Sequence, residues 1–409
     1  DQCGSRGLGD VYKRQTFSYQ SGSFDVVPNY FGTIRLIAVH DANRTLPDVV
    51  WPENSGIVTT LQMLTSDTTT VKTTKLTLGL SHSLPDTLLL RNGSLAVTSG
   101  KTLTFTDGLT IIRVDGSIDA SSGIVATGDE YIVVYANYRV ALTSGLELPA
   151  VVNTLTFTRW RNKANAFTTI NKPVLVAGMN TLNIRNNVQT LANSKITVLG
   201  DVYFENESDV FPLATDPICI FNSPLAFEGD ENQMVYVPKD GIDLRPTPDP
   251  LIPGPARIEI NKDNPNNTVT VSGGDLWVDH ITFTNGLLVT EDDNFIAIPA
   301  PAPGGGQGFD RSGVVGGNMS HIVGRVAKTW TNRVLVPLSS NERQEFPVGS
   351  LDSYRPASMT FKADDAEASV PDQLVVNIKH VDTPPRGAKG LPLVDNCGVP
   401  VATYSPFYW

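Results

Sequence analysis

The stretch NGSLAVTSG, Asn92 to Gly100, returns as DGSIDASSG from Asp115 to Gly123. Gly93, Ser94, Ser99 and Gly100 find Gly116, Ser117, Ser122 and Gly123 at one constant offset of 23. A fixed period of roughly 20–50 residues is the signature of a repeat architecture, in which each copy caps the apolar face of the next. Around these copies run short segments rich in Val, Ile, Leu, Thr and Phe, such as Thr102 to Val114, punctuated by Asn-Gly, Asp-Gly and Ser-Gly. Those are strand and turn signals. A chain with this pattern is expected to be all-β: a right-handed parallel β-helix whose rungs stack about 4.8 Å apart.

Further echoes extend the reading. LPDVV (Leu46–Val50) recurs as LPAVV (Leu148–Val152) at an offset of 102, each soon followed by a Thr-rich strand. INKPVLVAG (Ile170–Gly178) matches FNSPLAFEG (Phe221–Gly229) at an offset of 51. Gly200-Asp201 before VYF and Gly274-Asp275 before LWV form a looser pair. Together they predict a degenerate solenoid, with a strand-rich N-terminal portion, over residues 16–299. At roughly 20–25 residues per rung, Pro47 to Pro299 holds about ten rungs. Lys239 to Pro255 is rich in proline, which cannot donate to a central ladder, and is expected to be a loop thrown out from a rung. Residues 300–308, APAPGGGQG, read as a Pro/Gly linker. Beyond them, strands with turns every 8–12 residues or so predict a smaller antiparallel, sandwich-like region over 309–409, itself cut short at the C-terminus. Sustained 3.6-residue periodicity is absent throughout.

The charge balance narrows the partners. The chain carries −11. Setting aside the first fifteen residues, with Arg6, Lys13 and Arg14 against Asp1 and Asp10, leaves −12. Scattered basic residues on an acidic chain argue against a nucleic-acid groove, and no apolar run approaches the roughly 18–20 residues that span a bilayer. Cys219 and Cys397, far apart and without C-x-x-C spacing, indicate neither a disulfide framework nor a zinc site.

Two resemblances add to this. Ser5 to Gln15, SRGLGDVYKRQ, resembles the translation of a transposase-type sequencing adapter joined to a metagenomic reading frame, so residues 1–15 are excluded from fold reasoning and the native N-terminus is expected to be missing. Gly324–Trp330 (GRVAKTW), Phe346–Phe361 (FPVGSLDSYRPASMTF) and Thr403–Trp409 (TYSPFYW) resemble the region that follows the β-helical repeats in large secreted proteins of type IX-secreting bacteria. Gly286–Ile298 is similar to the last rung introducing that region. This resemblance implies an exported, extracellular or cell-surface protein, adhesin-like or a structural stalk, whose sorting domain would lie beyond Trp409.

Catalysis has one candidate. Trp277 to Phe283, WVDHITF, resembles the W-[IV]-D-H element of pectate lyases, parallel β-helices that use Ca²⁺-binding carboxylates and an arginine base. The resemblance implies catalytic roles for Asp275, Asp279 and His280 and a Ca²⁺ site among Asp275, Asp279, Asp292 and Asp293, since bound Ca²⁺ needs several oxygens converging on one point. Asp275 and Asp279 are four apart, an even spacing that puts both on one face of a continuous strand. The arginine-containing motif downstream is missing. The plainer reading is structural: Trp277 packs, Val278 and Ile281 alternate as strand residues, and Asp279 and His280 form a corner. The five histidines are isolated and no nucleophile elbow or P-loop is present. Asp292-Asp293 and Asp364-Asp365 are adjacent pairs, whose side chains on a strand point to opposite faces. Trp160 and Arg161, with Arg159 and Lys163, offer a glycan contact or a rung cap. The sequence reading is therefore a protein without catalysis or cofactor that meets surface glycans or other surface proteins, against two alternatives: a polysaccharide lyase, or a phage tailspike-like glycan binder.

Overall fold

The structure is a computed structural model, and it describes residues 34–39, 42–46, 58–64, 73–138, 140–159, 166–205, 217–244, 256–291, 293–299, 308–314, 320–331, 343–360 and 373–380. Residues 1–15, Trp160, Arg161, Asp292, Asp364, Asp365 and the last strand expected at Ser405–Trp409 lie outside these. All regular elements among the described residues are strands. The chain divides into two compact units, Asp1–Ser194 with Glu207–Thr215, and Lys195–Asn206 with Asp216–Trp409. Both are parallel β-solenoids.

In the first unit one sheet collects a strand from every rung, including Val58–Leu64, Thr87–Leu90, Thr110–Arg113, Ile132–Asn137, Thr154–Arg159 and Asn180–Ile184. Alternation decides its faces. Leu88, Ile111, Val133, Leu155 and Leu182 pair in register and all are fully buried, so they form a continuous aliphatic column. Each such side chain contributes about 1.5–3 kcal/mol on leaving water. The 23-residue echo is a true rung repeat: Ile118 pairs with Leu95, and the Ser117 amide donates to the Gly93 carbonyl at 3.0 Å. The two glycines hold equivalent places for different reasons. Gly93 has φ +75°, where only glycine is unstrained, whereas at Gly116 an added Cβ would lie 2.9 Å from the Leu90 carbonyl carbon. Of the longer echo of 102, residues 47–50 lie outside the described residues, and the Thr-rich strands that follow its two copies, Val58–Leu64 and Thr154–Arg159, are four apart in this sheet.

The first unit also changes cross-section midway. A sheet of Arg44–Leu46, Lys75–Leu78, Ser94–Val97 and Ser117–Ile118 ends, as does one of His82–Leu84, Thr102–Phe105 and Gly123–Ala126. New sheets begin at Leu142–Thr143 and Val151–Val152. Where the backbone ladder breaks, Arg113 replaces it. Its Nε donates to the Gly116 carbonyl at 2.7 Å and its Nη1 to the Thr143 carbonyl at 2.6 Å. Glu147, fully buried, pairs with the same guanidinium and accepts from the Tyr135 hydroxyl at 3.0 Å and the Gly145 amide at 2.9 Å. Burial, with the Glu147 charge beside it, holds the Tyr135 hydroxyl well above its ordinary pKa, so it stays a donor.

In the second unit the corresponding sheet takes Asp201–Phe204, Gln233–Tyr236, Thr268–Ser272 and Leu287–Thr290, then Ile322–Val323 and Val348–Ser350. Between Pro47 and Pro299 the described residues of the two units thus supply six and four such strands, in keeping with the about ten rungs that the sequence predicts. The 51-residue echo is likewise a repeated corner: Thr168–Ile170 leads to Val174–Val176 in the first unit, and Cys219–Phe221 to Leu225–Phe227 in the second. The looser Gly-Asp echo is not a repeat. Asp201 opens a strand of the long sheet, while Asp275 precedes Leu276–Trp277 in another sheet.

One expectation needs correction in the second unit. The Pro-rich stretch from Lys239 is not loop throughout, because Ile242–Asp243 pairs in parallel with Leu276–Trp277 and buries Ile242 and Leu244; the prolines all follow Leu244, in residues not described. The parallel ladder also continues past the Pro/Gly stretch: Phe295–Pro299 pairs with Arg325–Thr331, and His280–Asn285 with Phe309–Asp310. Antiparallel pairing does enter after residue 309, between Arg325–Thr331 and Gln373–Lys379, Arg343–Phe346 and Ala357–Thr360, and Val348–Ser350 and Ser353–Tyr354.

Candidate functional site

In the second unit a parallel sheet of Ile196–Val198, Leu225–Phe227, Arg257–Asn261, His280–Asn285 and Phe309–Asp310 carries the residues that the sequence singles out. Its inner face is set by alternation: Ile258 pairs with Ile281 and Ile260 with Phe283, all buried. The outer face therefore presents Arg257, Glu259, His280, Thr282 and Asp310 along successive rungs.

WVDH is not one strand. Leu276–Trp277 belongs to one sheet and His280–Asn285 to the next, with Val278 buried at the corner between them. That corner breaks the even-spacing argument. Asp275 Oδ1 accepts from the Phe295 amide at 2.9 Å, on the following rung. Asp279 Oδ2 accepts from the Ala256 amide at 2.7 Å, on the preceding rung, where the Asp279 amide also donates to the Ala256 carbonyl at 2.9 Å. The two carboxylates are thus directed to opposite neighbours along the stack, each satisfying a backbone donor at a rung corner, and the structure does not bring them together. Trp277 packs edge-on against Phe295, with ring centroids 5.6 Å apart. Asp293 is an exposed turn residue. Glu291, two residues before it, accepts from the Ser272 hydroxyl at 2.8 Å. Among the described residues no group of three or more His, Cys, Asp or Glu is placed to hold a metal ion.

His280 instead joins other partners. Its Cα pairs with Arg257. Burial, and secondarily the Arg257 charge, lower its pKa below the ordinary value against the opposing pull of Asp310. Asp310 is itself held low by the hydrogen bonds of Ser312, whose amide lies 2.8 Å from Oδ1. Nearby, Lys195 Nζ bridges Glu228 at 2.6 Å and Glu259 at 3.3 Å. Burial pulls the Lys195 pKa down, but the Glu228 hydrogen bond and the two carboxylate charges carry it above its usual value. The face is a band of alternating charge with a neutral imidazole in it. Sequence reasoning missed Arg257, Glu259, Lys195 and Asp310. A signal existed for the first two: RIEIN lies 23 residues before HITFT, the same period as the first echo.

Elsewhere, Cys219 is buried and its thiol is pushed far up by that burial, so it is no nucleophile. Among the described residues no helix is long and apolar enough to cross a membrane. No family model, curated protein or solved structure matches the chain.

Proposed function

We propose that this chain is part of an exported, extracellular or cell-surface protein that acts without catalysis, as an adhesin-like or structural stalk presenting the outer faces of its stacked sheets to surface glycans or other surface proteins. The observation that carries the reading is the use of Asp275 and Asp279 as backbone caps toward opposite rungs. A Ca²⁺-dependent β-elimination on a uronate needs converging oxygens and a base near the C5 proton. Two carboxylates engaged in opposite directions supply neither. Secretion by the type IX route rests on the resemblance of Gly324–Trp330, Phe346–Phe361 and Thr403–Trp409, with Gly286–Ile298 before them.

The lyase alternative draws on one feature, Arg257 directly beside the neutral His280 on an outer sheet face. The test is incubation with polygalacturonate and Ca²⁺ at mildly alkaline pH, followed by ultraviolet absorbance. No unsaturated product is expected, and Asp279→Ala should change stability only. Product that disappears in Asp279→Ala or Arg257→Ala while the protein stays folded would replace this reading with the lyase.

A further inference from the structure

The long sheet of the second unit carries an aromatic step on its outer face. Val202 and Phe204 point into the core, as do Gln233 and Val235, so Tyr203 and Tyr236 point outward. The two tyrosines pair in register on adjacent rungs. Their rings stack nearly parallel, centroids 4.5 Å apart and planes inclined by 13°. One rung further on, the residue paired with Tyr236 is Ser272. A hydroxymethyl is too short to cover a phenol ring, and Tyr236 keeps 37% of its surface exposed. One face of the Tyr236 ring is therefore covered by Tyr203 and the other is open.

Polar groups frame that open face. Glu291 accepts from Ser272 Oγ at 2.8 Å and, through its other oxygen, from the Gly273 amide and Asn294 Nδ2, both at 3.4 Å. These contacts fix the carboxylate while leaving acceptor positions toward solvent. Asp201 and Glu205 add negative charge close enough to help raise the Tyr203 pKa, after burial and the neighbouring Tyr236. An aromatic plane carries negative charge on its face and favours C–H groups that present a partially positive edge. A pyranose ring does this on its apolar side and offers hydroxyl donors around its rim. The surrounding carboxylates repel a uronate or sulfated sugar.

We infer that Tyr236, stacked on Tyr203 and flanked by Ser272 and Glu291, is a binding platform for a neutral pyranose unit of a glycan. The inference rests on the non-catalytic surface reading and assigns that reading a ligand class. Affinity electrophoresis of the protein through gels containing soluble mixed-linkage β-glucan, xylan, galactomannan or polygalacturonate tests it. Retardation by at least one neutral polysaccharide and none by polygalacturonate is expected. Tyr236→Ala should weaken that retardation by about tenfold, equivalent to about 1.4 kcal/mol, and Tyr236→Trp should keep it. Ser272→Phe, which lays a ring over the open face without removing any core contact, should abolish it while thermal melts stay unchanged. No retardation by any of the neutral polysaccharides, or retardation unaltered in both Tyr236→Ala and Ser272→Phe, overturns the platform. Neither result bears on the lyase assay, so the surface reading stands or falls separately.

Discussion

At Arg113 the first unit buries a guanidinium against a carboxylate; at Lys262 and Lys328 the second buries ammonium groups beside a carbonyl, an amide oxygen and aromatic rings. Arg113 sits in the inner column between Leu90 and Tyr135, salt-bridged to a fully buried Glu147. Lys262, 1% exposed, gives its ammonium to the Glu228 carbonyl at 2.6 Å and to Gln233 Oε1 at 2.5 Å. Lys328, fully buried, has its Nζ 5.5 Å from the Phe309 ring and 5.8 Å from the Phe346 ring. Burial lowers both lysine pKa values to about 8. A guanidinium stays charged and must be paired, whereas an ammonium in a poor environment can release its proton. The difference matches the tasks. Arg113 reaches two carbonyls where two sheets end and two begin, which needs a planar fork; Lys262 reaches one carbonyl and one amide oxygen.

The largest effect should come from breaking the paired side. Glu147→Ala leaves Arg113 charged and buried, and urea melts should show a loss of about 3–5 kcal/mol. Replacing both partners, as Arg113→Met with Glu147→Leu, should recover part of that loss, though Gly116 and Thr143 would still lack their donor. A double variant no better than the single one would mean that the carbonyl bridging, not the charge pair, is what the knot supplies.

The lysine side should reveal itself through pH. The folded pKa of Lys262 is about 8 against an ordinary 10.5, so between those values the unfolded chain binds a proton that the folded one does not. Stability therefore rises with pH in that window. Measured as the difference between wild type and Lys262→Met, in which the high-lying Cys219 thiol and Tyr354 hydroxyl cancel, wild type should gain on the variant from pH 8 to 10. A flat difference would show that Lys262 keeps its proton, and the contrast with Arg113 would then fail.

An exposed pair sets the lower bound. Lys75 Nζ lies 2.5 Å from Asp119, with side chains 42% and 22% exposed. Its hydrogen bonds from Lys75 and then Ser121 hold the Asp119 carboxyl well below its usual range, so its contribution is present above pH 4 and lost as pH falls. Asp119→Ala should cost less than about 1 kcal/mol, and less still in high salt.

How much of this was legible in the chain depends on distance along it. The rung period was readable at Gly93 and Gly116 because turn chemistry and alternation are local. Leu95 over Ile118 followed from the same pattern. The fate of WVDH was not readable, because a corner at Val278 costs one residue and leaves no special signature, yet it sends Asp275 and Asp279 to opposite neighbours. Trp160 and Arg161, the glycan contact expected from composition, lie outside the described residues, while the exposed aromatic stack is at Tyr203 and Tyr236.

What the sequence determined by itself is the class of structure: alternating apolar residues, β-branched runs and glycine turns can satisfy their backbone and bury their side chains only by stacking on copies of themselves. Which residues meet was decided by the tertiary structure. Rung lengths vary widely, Gln233 pairing with Val269 at a shift of 36 and Val269 with Leu288 at a shift of 19. Lengthening a solvent loop costs little, since closure entropy grows only logarithmically with length. Register along the stack is therefore set by packing in the core and not by counting. Arg113 finds Glu147 34 residues away, and Tyr203 finds Tyr236, only because the rungs between them close.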